Sequence, residues 1–156
     1  MAPRNGGSTM KPITTTMLAL ALAALSFVWA PRAAAEDAPH HFLFSITTDE
    51  SWAAGSALTQ AMIAAESGHD VTVLLSVRGI YLAQTRSVQG GFSVTGQSPR
   101  ALLAKLIDKG HAVLVCGVCL VAGGIEPEDL VAGAKVSGPE LMLNAMTTPN
   151  TVVLSY

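Results

Sequence analysis

The most informative segment of this 156-residue chain is Ala112-Val113-Leu114-Val115-Cys116-Gly117-Val118-Cys119. Its four apolar residues, with Gly110 before them and Gly117 after them, indicate a strand that is buried on both faces. Such strands are typical of parallel sheets that helices cover on two sides. The strand runs directly into a C-x-x-C pair that contains both cysteines of the chain. The segment therefore predicts an α/β sheet with two thiols at the end of one strand.

The flanking sequence repeats this alternation of apolar strands and helices. Further strands are predicted at 41–46, 71–75 and 151–154, and helices at 51–67, 99–109 and 141–146, with short helical pieces at 80–84 and 127–130. Ser51 is the predicted cap of the first helix, and Ser137 with Glu140 forms a capping-box pattern before the last one. Strands alternating with helices predict a three-layer, flavodoxin-like α/β fold, with a mainly parallel sheet covered by helices on both faces.

The first 35 residues are typical of a secretory signal peptide. Arg4 and Lys11 precede a 14-residue, mostly apolar run, Met17–Ala30, and Ala33-Ala34-Ala35 supplies a small-residue cleavage site. The run is short for a membrane helix, which needs about 20 apolar residues. We therefore expect a signal peptide at 1–35, a domain at 36–156, and a periplasmic or secreted protein without a membrane segment after cleavage. An uncleaved N-terminal anchor is the alternative.

The charge balance excludes one class of partner. Three of the nine basic residues and none of the eleven acidic residues lie in the first 35, so residues 36–156 carry a formal charge of −5. Nucleic-acid binding needs basic residues that neutralise phosphates, so we expect no nucleic-acid partner.

The C-x-x-C pair is the main candidate site. In parallel sheets, ligands bind beyond the carboxyl ends of the strands, and backbone N–H groups at the start of a helix stabilise a thiolate there. The alternatives from the residues alone are two buried cysteines, an inert disulfide, or a thiol–disulfide redox pair. No second C-x-x-C or H-x₃-H motif accompanies the pair, so the sequence predicts no metal site and no cofactor.

Other residues at this edge are weaker candidates. The segment after the first strand contains Asp49 and Trp52, and Gly117 and Val118 separate the cysteines. These four are the candidate substrate contacts, although a helix cap for Asp49 and simple packing for Trp52 are the better interpretations. Arg78 and Arg86 lie in the irregular segment 76–97 and are candidates for contacting an anionic substrate. Both are better explained as solvated loop residues.

The segment from Val115 to Ile125 resembles the DsrE-like family (DsrE, DsrF and TusD type), whose members carry a cysteine at a strand end, then a helical turn and a Gly-Ile or Gly-Val step. The Val136-Ser137-Gly138 step fits the same family. The chain departs from sulfur-relay members in its leader and at Ala122-Gly123, where those members often carry basic residues.

The resemblance implies a sulfur-handling protein that forms a trimer or hexamer. In that family Cys116 corresponds to the cysteine that accepts sulfane sulfur as a persulfide, and Cys119 to a second cysteine found in some relatives. The expected function is an exported sulfur carrier or sulfurtransferase-like protein, with Cys119 as the resolving or disulfide partner. Its expected partners are a small sulfur donor, a thiol acceptor that is a small molecule or another protein, and further copies of itself. The alternatives are a thiol–disulfide redox module and a non-catalytic oligomeric binding protein.

Overall fold

A parallel β-sheet forms the centre of the computed structural model, which describes residue 6 and residues 39–156. Its strands are β1 (His41–Ile46), β2 (Asp70–Leu75), β3 (Ala112–Cys116), β4 (Lys135–Ser137) and β5 (Thr151–Ser155). The α-helices are α1 (Ser51–Glu66), α2 (Pro99–Asp108), α3 (Gly117–Gly123) and α4 (Pro139–Thr147), and 3₁₀ helices span Val77–Leu82 and Pro127–Asp129. The five strands are all parallel and lie in the order β4-β3-β2-β1-β5.

Helices cover both faces of the sheet. On one face, the larger core joins α1 and α2 to alternate strand residues such as Phe44, Val73 and Val115. On the other face, a smaller core joins Leu43, Leu74 and Leu114 to α4. Because successive strand residues point to opposite faces, apolar residues at neighbouring positions of one strand contribute to the two cores in turn. The predicted three-layer α/β fold is confirmed.

The predicted signal peptide lies outside the described residues, apart from Gly6, and stays a prediction. Residues Pro39–Tyr156 form one compact unit. In this described part of the chain, no helix has both the length and the apolar character that crossing a membrane requires.

Two predicted helix caps are wrong. Glu50, not Ser51, caps α1, and its carboxylate accepts hydrogen bonds from the backbone N–H groups of Trp52 at 2.9 Å and Ala53 at 2.8 Å. A carboxylate has two oxygens and can serve two N–H groups at once, which a serine hydroxyl does less well. Those hydrogen bonds hold the pKa of Glu50 below its ordinary value. At α4 no side chain caps the helix, because Ser137 ends β4 and Gly138 occupies the cap position.

His41 is a buried ionisable residue on the α4 face of the sheet. Its ring nitrogens lie 2.8 Å from the Thr151 hydroxyl (Nδ1) and 2.9 Å from the Thr72 hydroxyl (Nε2). The Thr151 hydroxyl donates its own proton to the carbonyl of Thr148. It therefore accepts from Nδ1–H, and Nε2 accepts from Thr72. Burial lowers the pKa of His41, and the nearby charge of Asp70 partly opposes that shift.

Candidate functional site

Cys116 and Cys119 lie together at the carboxyl edge of the sheet. Cys116 is the last residue of β3 and the cap of α3, and Cys119 follows in the first turn of that helix. Their sulfur atoms are at disulfide distance, and their Cα atoms are 5.2 Å apart, within the range that a disulfide requires. Both residues are half-buried. The predicted site is therefore a preformed pair that can be oxidised without movement of the backbone.

Each sulfur accepts a backbone hydrogen bond. The N–H of Cys119 lies 3.3 Å from Sγ of Cys116, and the N–H of Val77 lies 3.3 Å from Sγ of Cys119. Hydrogen bonds from N–H groups favour an anionic sulfur over a neutral one. The arrangement therefore suits thiolate chemistry at either position.

Val77 was not identified from the sequence, and its backbone is unusual. Its φ angle is +51°, in the left-handed region that β-branched residues rarely adopt. Hydrogen bonds on both sides hold this conformation, from Ser76 N–H to the Ile46 carbonyl at 3.0 Å and from Arg78 N–H to the Thr47 carbonyl at 3.1 Å. Strain of this kind is typically retained where the surrounding structure requires it. At Val77 it accompanies an N–H that is aimed at Cys119.

Arg78 forms an ion pair with Asp49 beside the cysteines. Its Nε and Nη2 atoms donate to the two carboxylate oxygens of Asp49 at 2.9 Å and 2.7 Å, and its guanidinium lies 5.5 Å from the ring centroid of Tyr81. The hydrogen bonds from Arg78 hold the pKa of Asp49 below its ordinary value, and the same contact raises the pKa of Arg78. The expected capping role of Asp49 is wrong, because Arg78 occupies its carboxylate.

The ion pair forms part of a cleft of about 490 Å³. The cleft lies between the end of β1, the 3₁₀ helix Val77–Leu82 and the loop that follows it, and neither cysteine lines it. Its lining residues are Asp49, Ser51, Arg78, Tyr81, Leu82, Gln84, Ser87, Val88, Gln89, Gly90 and Pro99. Arg78, which lines the cleft, directly follows Val77, whose N–H contacts Sγ of Cys119.

The other sequence candidates have different surroundings. The ring of Trp52 packs edge-to-face against Phe92 at 5.6 Å and does not line the cleft. A Cβ on Gly117 would lie 3.1 Å from a methyl group of Val136, so glycine lets α3 begin close to β4. Val118, between the cysteines, is 82% exposed. The structure thus places Gly117 and Val118 at the cysteine pair and Asp49 at the cleft, while Trp52 belongs to a separate packing contact.

The donor set around the site contains few metal ligands. Within residues 39–156, no group of three or more His, Cys, Asp or Glu side chains is arranged to hold a metal ion. The chemistry that these residues offer is that of two sulfur atoms, a set of backbone N–H donors and one ion pair.

Comparisons with known proteins agree with the fold. The chain is 37% identical over 82 residues to the uncharacterized protein MJ0989 of Methanocaldococcus jannaschii, a match that covers 53% of this chain and 68% of that protein. The crystal structure of the ychN protein from E. coli has a TM-score of 0.65 at 16% identity and covers 76% of this chain and 100% of its own. The structure of MTH1491 from Methanobacterium thermoautotrophicum, a protein of unknown function, has a TM-score of 0.52 at 15% identity. That match covers 75% of this chain and 99% of MTH1491. At these identities the two structures support the fold alone.

The family follows from the sequence match. Residues 40–153 match the DsrE/DsrF-like family, and this range contains both cysteines, the Asp49–Arg78 ion pair and nearly the whole sheet. The chain belongs to the DsrE/DsrF-like family.

Proposed function

We propose that this protein is an exported sulfur carrier in which Cys116 accepts sulfane sulfur as a persulfide and Cys119 resolves it. Membership of the DsrE/DsrF-like family suggests a role in sulfur relay or redox chemistry. The observation that carries the proposal is the Cys116–Cys119 pair at a strand end, with a backbone N–H donated to each sulfur.

The transfer begins from the reduced pair. The Cys116 thiolate attacks the outer sulfur of a sulfane donor, a new S–S bond forms on Cys116, and the S–S bond of the donor breaks. The rest of the donor leaves with the electron pair of the broken bond, as a thiolate from a persulfide, as sulfite from thiosulfate or as a shorter polysulfide. An acceptor thiolate then attacks the outer sulfur of the persulfide and carries it away, which regenerates the Cys116 thiolate.

Cys119 offers a second exit for the persulfide. Its thiolate attacks the inner sulfur on Cys116, the Cys116–Cys119 disulfide forms, and the outer sulfur leaves as hydrosulfide. An external thiol must then reduce the disulfide before another cycle. The disulfide distance between the two sulfurs supports this step.

Export and self-assembly are parts of the same proposal. The sequence of residues 1–35 supports export to the periplasm or medium, and the thiol acceptor is then a small molecule or a protein of that compartment. DsrE family members oligomerise and work with partner proteins. Apolar side chains exposed on α4, namely Leu141, Leu143 and Met146, support self-association, which we propose gives a trimer or hexamer. Light scattering on the purified protein measures the number of subunits.

The central experiment is an intact-mass measurement. The purified protein is reduced, freed of reductant, incubated with polysulfide or thiosulfate, and weighed. We expect a gain of one sulfur atom in the wild type and in Cys119→Ser, and no gain in Cys116→Ser. A sulfur adduct that persists in Cys116→Ser would contradict the assignment of Cys116.

A thiol–disulfide redox module is the second candidate, favoured by the same disulfide distance. In that case neither the wild type nor Cys119→Ser gains sulfur, and the wild type loses two hydrogens on oxidation and exchanges with glutathione. That result would replace the carrier proposal.

A further inference from the structure

The arginines around the cleft already have partners. Arg78 pairs with Asp49, and Arg86 lies 2.8 Å from a carboxylate oxygen of Asp129. Arg100 donates to backbone carbonyls of the loop that forms the cleft wall. An anionic ligand entering the cleft therefore meets guanidinium groups that are already paired. Residues 36–156 also carry a formal charge of −5, which does not favour an anion.

The Asp49–Arg78 pair is nevertheless accessible to a ligand. The Arg78 side chain is 66% exposed and that of Asp49 31%. A guanidinium has five N–H donors, of which Asp49 uses two, and a carboxylate has about four acceptor positions. The pair therefore presents free donors and free acceptors side by side, with no net charge. A ligand that complements both halves carries an ammonium group for Asp49 and a carboxylate for Arg78.

The ion pair is connected to the cysteine pair through Val77. Arg78 follows Val77, whose N–H lies 3.3 Å from Sγ of Cys119, and the two cysteine sulfurs are at disulfide distance. For the transfer, a molecule bound to the ion pair by its ammonium and carboxylate groups must extend its side chain past Val77 to the cysteine pair, since neither cysteine lines the cleft. The cleft of about 490 Å³ falls in the usual range for small-ligand sites.

We propose that the cleft binds the persulfide of an amino acid or short peptide through the Asp49–Arg78 pair, and thereby selects zwitterionic sulfur donors over inorganic anions. This inference rests on the proposed function. In the transfer, the Cys116 thiolate attacks the outer sulfur of the donor R–S–SH, the donor S–S bond breaks, and R–S⁻ leaves with the electron pair. The sulfur remains on Cys116 as a persulfide.

The test compares three donors on the reduced full chain. Cysteine persulfide carries an ammonium and a carboxylate group, the persulfide of 2-mercaptoethanol carries neither, and thiosulfate is an inorganic dianion. The rate of sulfur gain on Cys116 is followed by intact mass. The rate for each donor is divided by the rate of the same donor with a free thiol in solution. We expect this ratio to be highest for cysteine persulfide in the wild type.

Asp49→Asn then separates charge complementarity from simple reactivity. Losing the carboxylate removes the ammonium partner and leaves the charge of Arg78 uncompensated. We expect the rate with cysteine persulfide to fall roughly tenfold, the cost of one charged hydrogen bond, while the rate with thiosulfate rises. Arg78→Gln should also lower the rate with cysteine persulfide, but it should not raise the rate with thiosulfate. Asp129→Asn frees Arg86, which does not line the cleft, and should leave all three rates unchanged.

The outcomes distinguish this inference from the function it rests on. Equal relative rates for the three donors in the wild type would overturn the substrate class and leave the sulfur carrier standing. A uniform fall for all donors in Asp49→Asn, with melting temperature unchanged, would also overturn it, because Asp49 would then act only on the cysteine segment. If no donor adds sulfur to the wild type, both proposals fail together. Arg78→Gln with wild-type rates would overturn the inference even if Asp49→Asn did not fold.

Discussion

Replacing Gly79 by alanine tests how the cysteine pair is held. Gly79 is buried in the 3₁₀ helix Val77–Leu82, where a Cβ would lie 2.2 Å from the carbonyl oxygen of Ile46 and 3.0 Å from its carbon. Both atoms belong to the backbone at the end of β1, so no side chain can rotate away. The 3₁₀ helix must therefore move by about 1 Å to reach ordinary contact distance.

The magnitude follows from two opposing effects. Overpacking of this kind costs about 1–3 kcal/mol. Alanine restricts the unfolded chain more than glycine does, which returns about 0.4–1 kcal/mol where the native backbone suits alanine. We expect a net loss of about 1–2 kcal/mol in the free energy of unfolding, or a fall of about 4 °C in melting temperature for each kcal/mol.

The displacement should also reach the site. Gly79 lies two residues after Val77, so moving the 3₁₀ helix shifts the N–H that Cys119 accepts. Urea unfolding under reducing conditions measures the stability, and intact mass measures the rate of sulfur gain on Cys116. The control for the stability measurement is Gly90→Ala, since a Cβ there meets nothing within 4 Å; Gly90 lines the cleft, so this variant is not a control for the rate. A Gly79→Ala protein with wild-type stability and a wild-type rate would refute the idea that this contact positions Val77.

Three further predictions concern other parts of the chain. The pKa of His41 is lowered by burial, so the unfolded state takes up the proton first as the pH falls; stability is complete above the ordinary histidine pKa of 6.5 and decreases below it. Urea titrations at several pH values measure this decrease in the free energy of unfolding. The decrease should be smaller in His41→Gln and unchanged in the control His40→Gln, where the histidine is exposed. Equal slopes of stability against pH in both variants would contradict the role of His41. Gly133→Ala should destabilise more than Gly110→Ala, because both glycines have φ near +90° but only the Cβ at Gly133 overlaps a side chain of α2; equal losses by thermal melting would count against the overlap. In Cys119→Ser the persulfide on Cys116 should decay more slowly than in the wild type, as followed by intact mass over time, and an unchanged lifetime would exclude Cys119 as the resolving thiol.

Most helices and strands could be predicted because their signals are local, whereas the three-residue β4 is not among the predicted strands. The predicted strand at 71–75 lies within β2, and the predicted strand at 151–154 lies within β5. The caps were harder because neighbouring residues compete for the same N–H groups. At α1 both Glu50 and Ser51 carry a suitable oxygen, and only the backbone conformation at the helix start decides which one is used.

The candidate site likewise contains residues that local sequence could predict and residues that it could not. Cys116 and Cys119 are three residues apart, and a strand end followed by a helical turn brings their sulfurs together. Val77 could not be found, since nothing about a valine predicts a left-handed backbone or an N–H directed at a sulfur 42 residues later. Asp49 and Arg78 were both candidates, but their separation of 29 residues gave no indication that they pair.

The sequence by itself determined the α/β class, and it predicted the end of β3 as the site and the two cysteines as the candidate reacting groups. The physical reason is that apolar periodicity and a C-x-x-C spacing act over a few residues, within one strand or one helical turn. Only the tertiary structure decided what surrounds those thiols. Because β1, β2 and β3 are adjacent and parallel, their carboxyl ends place Asp49, the Val77–Arg78 turn and Cys116 at one edge. That strand order depends on how the whole sheet packs, which no local pattern in the chain contains.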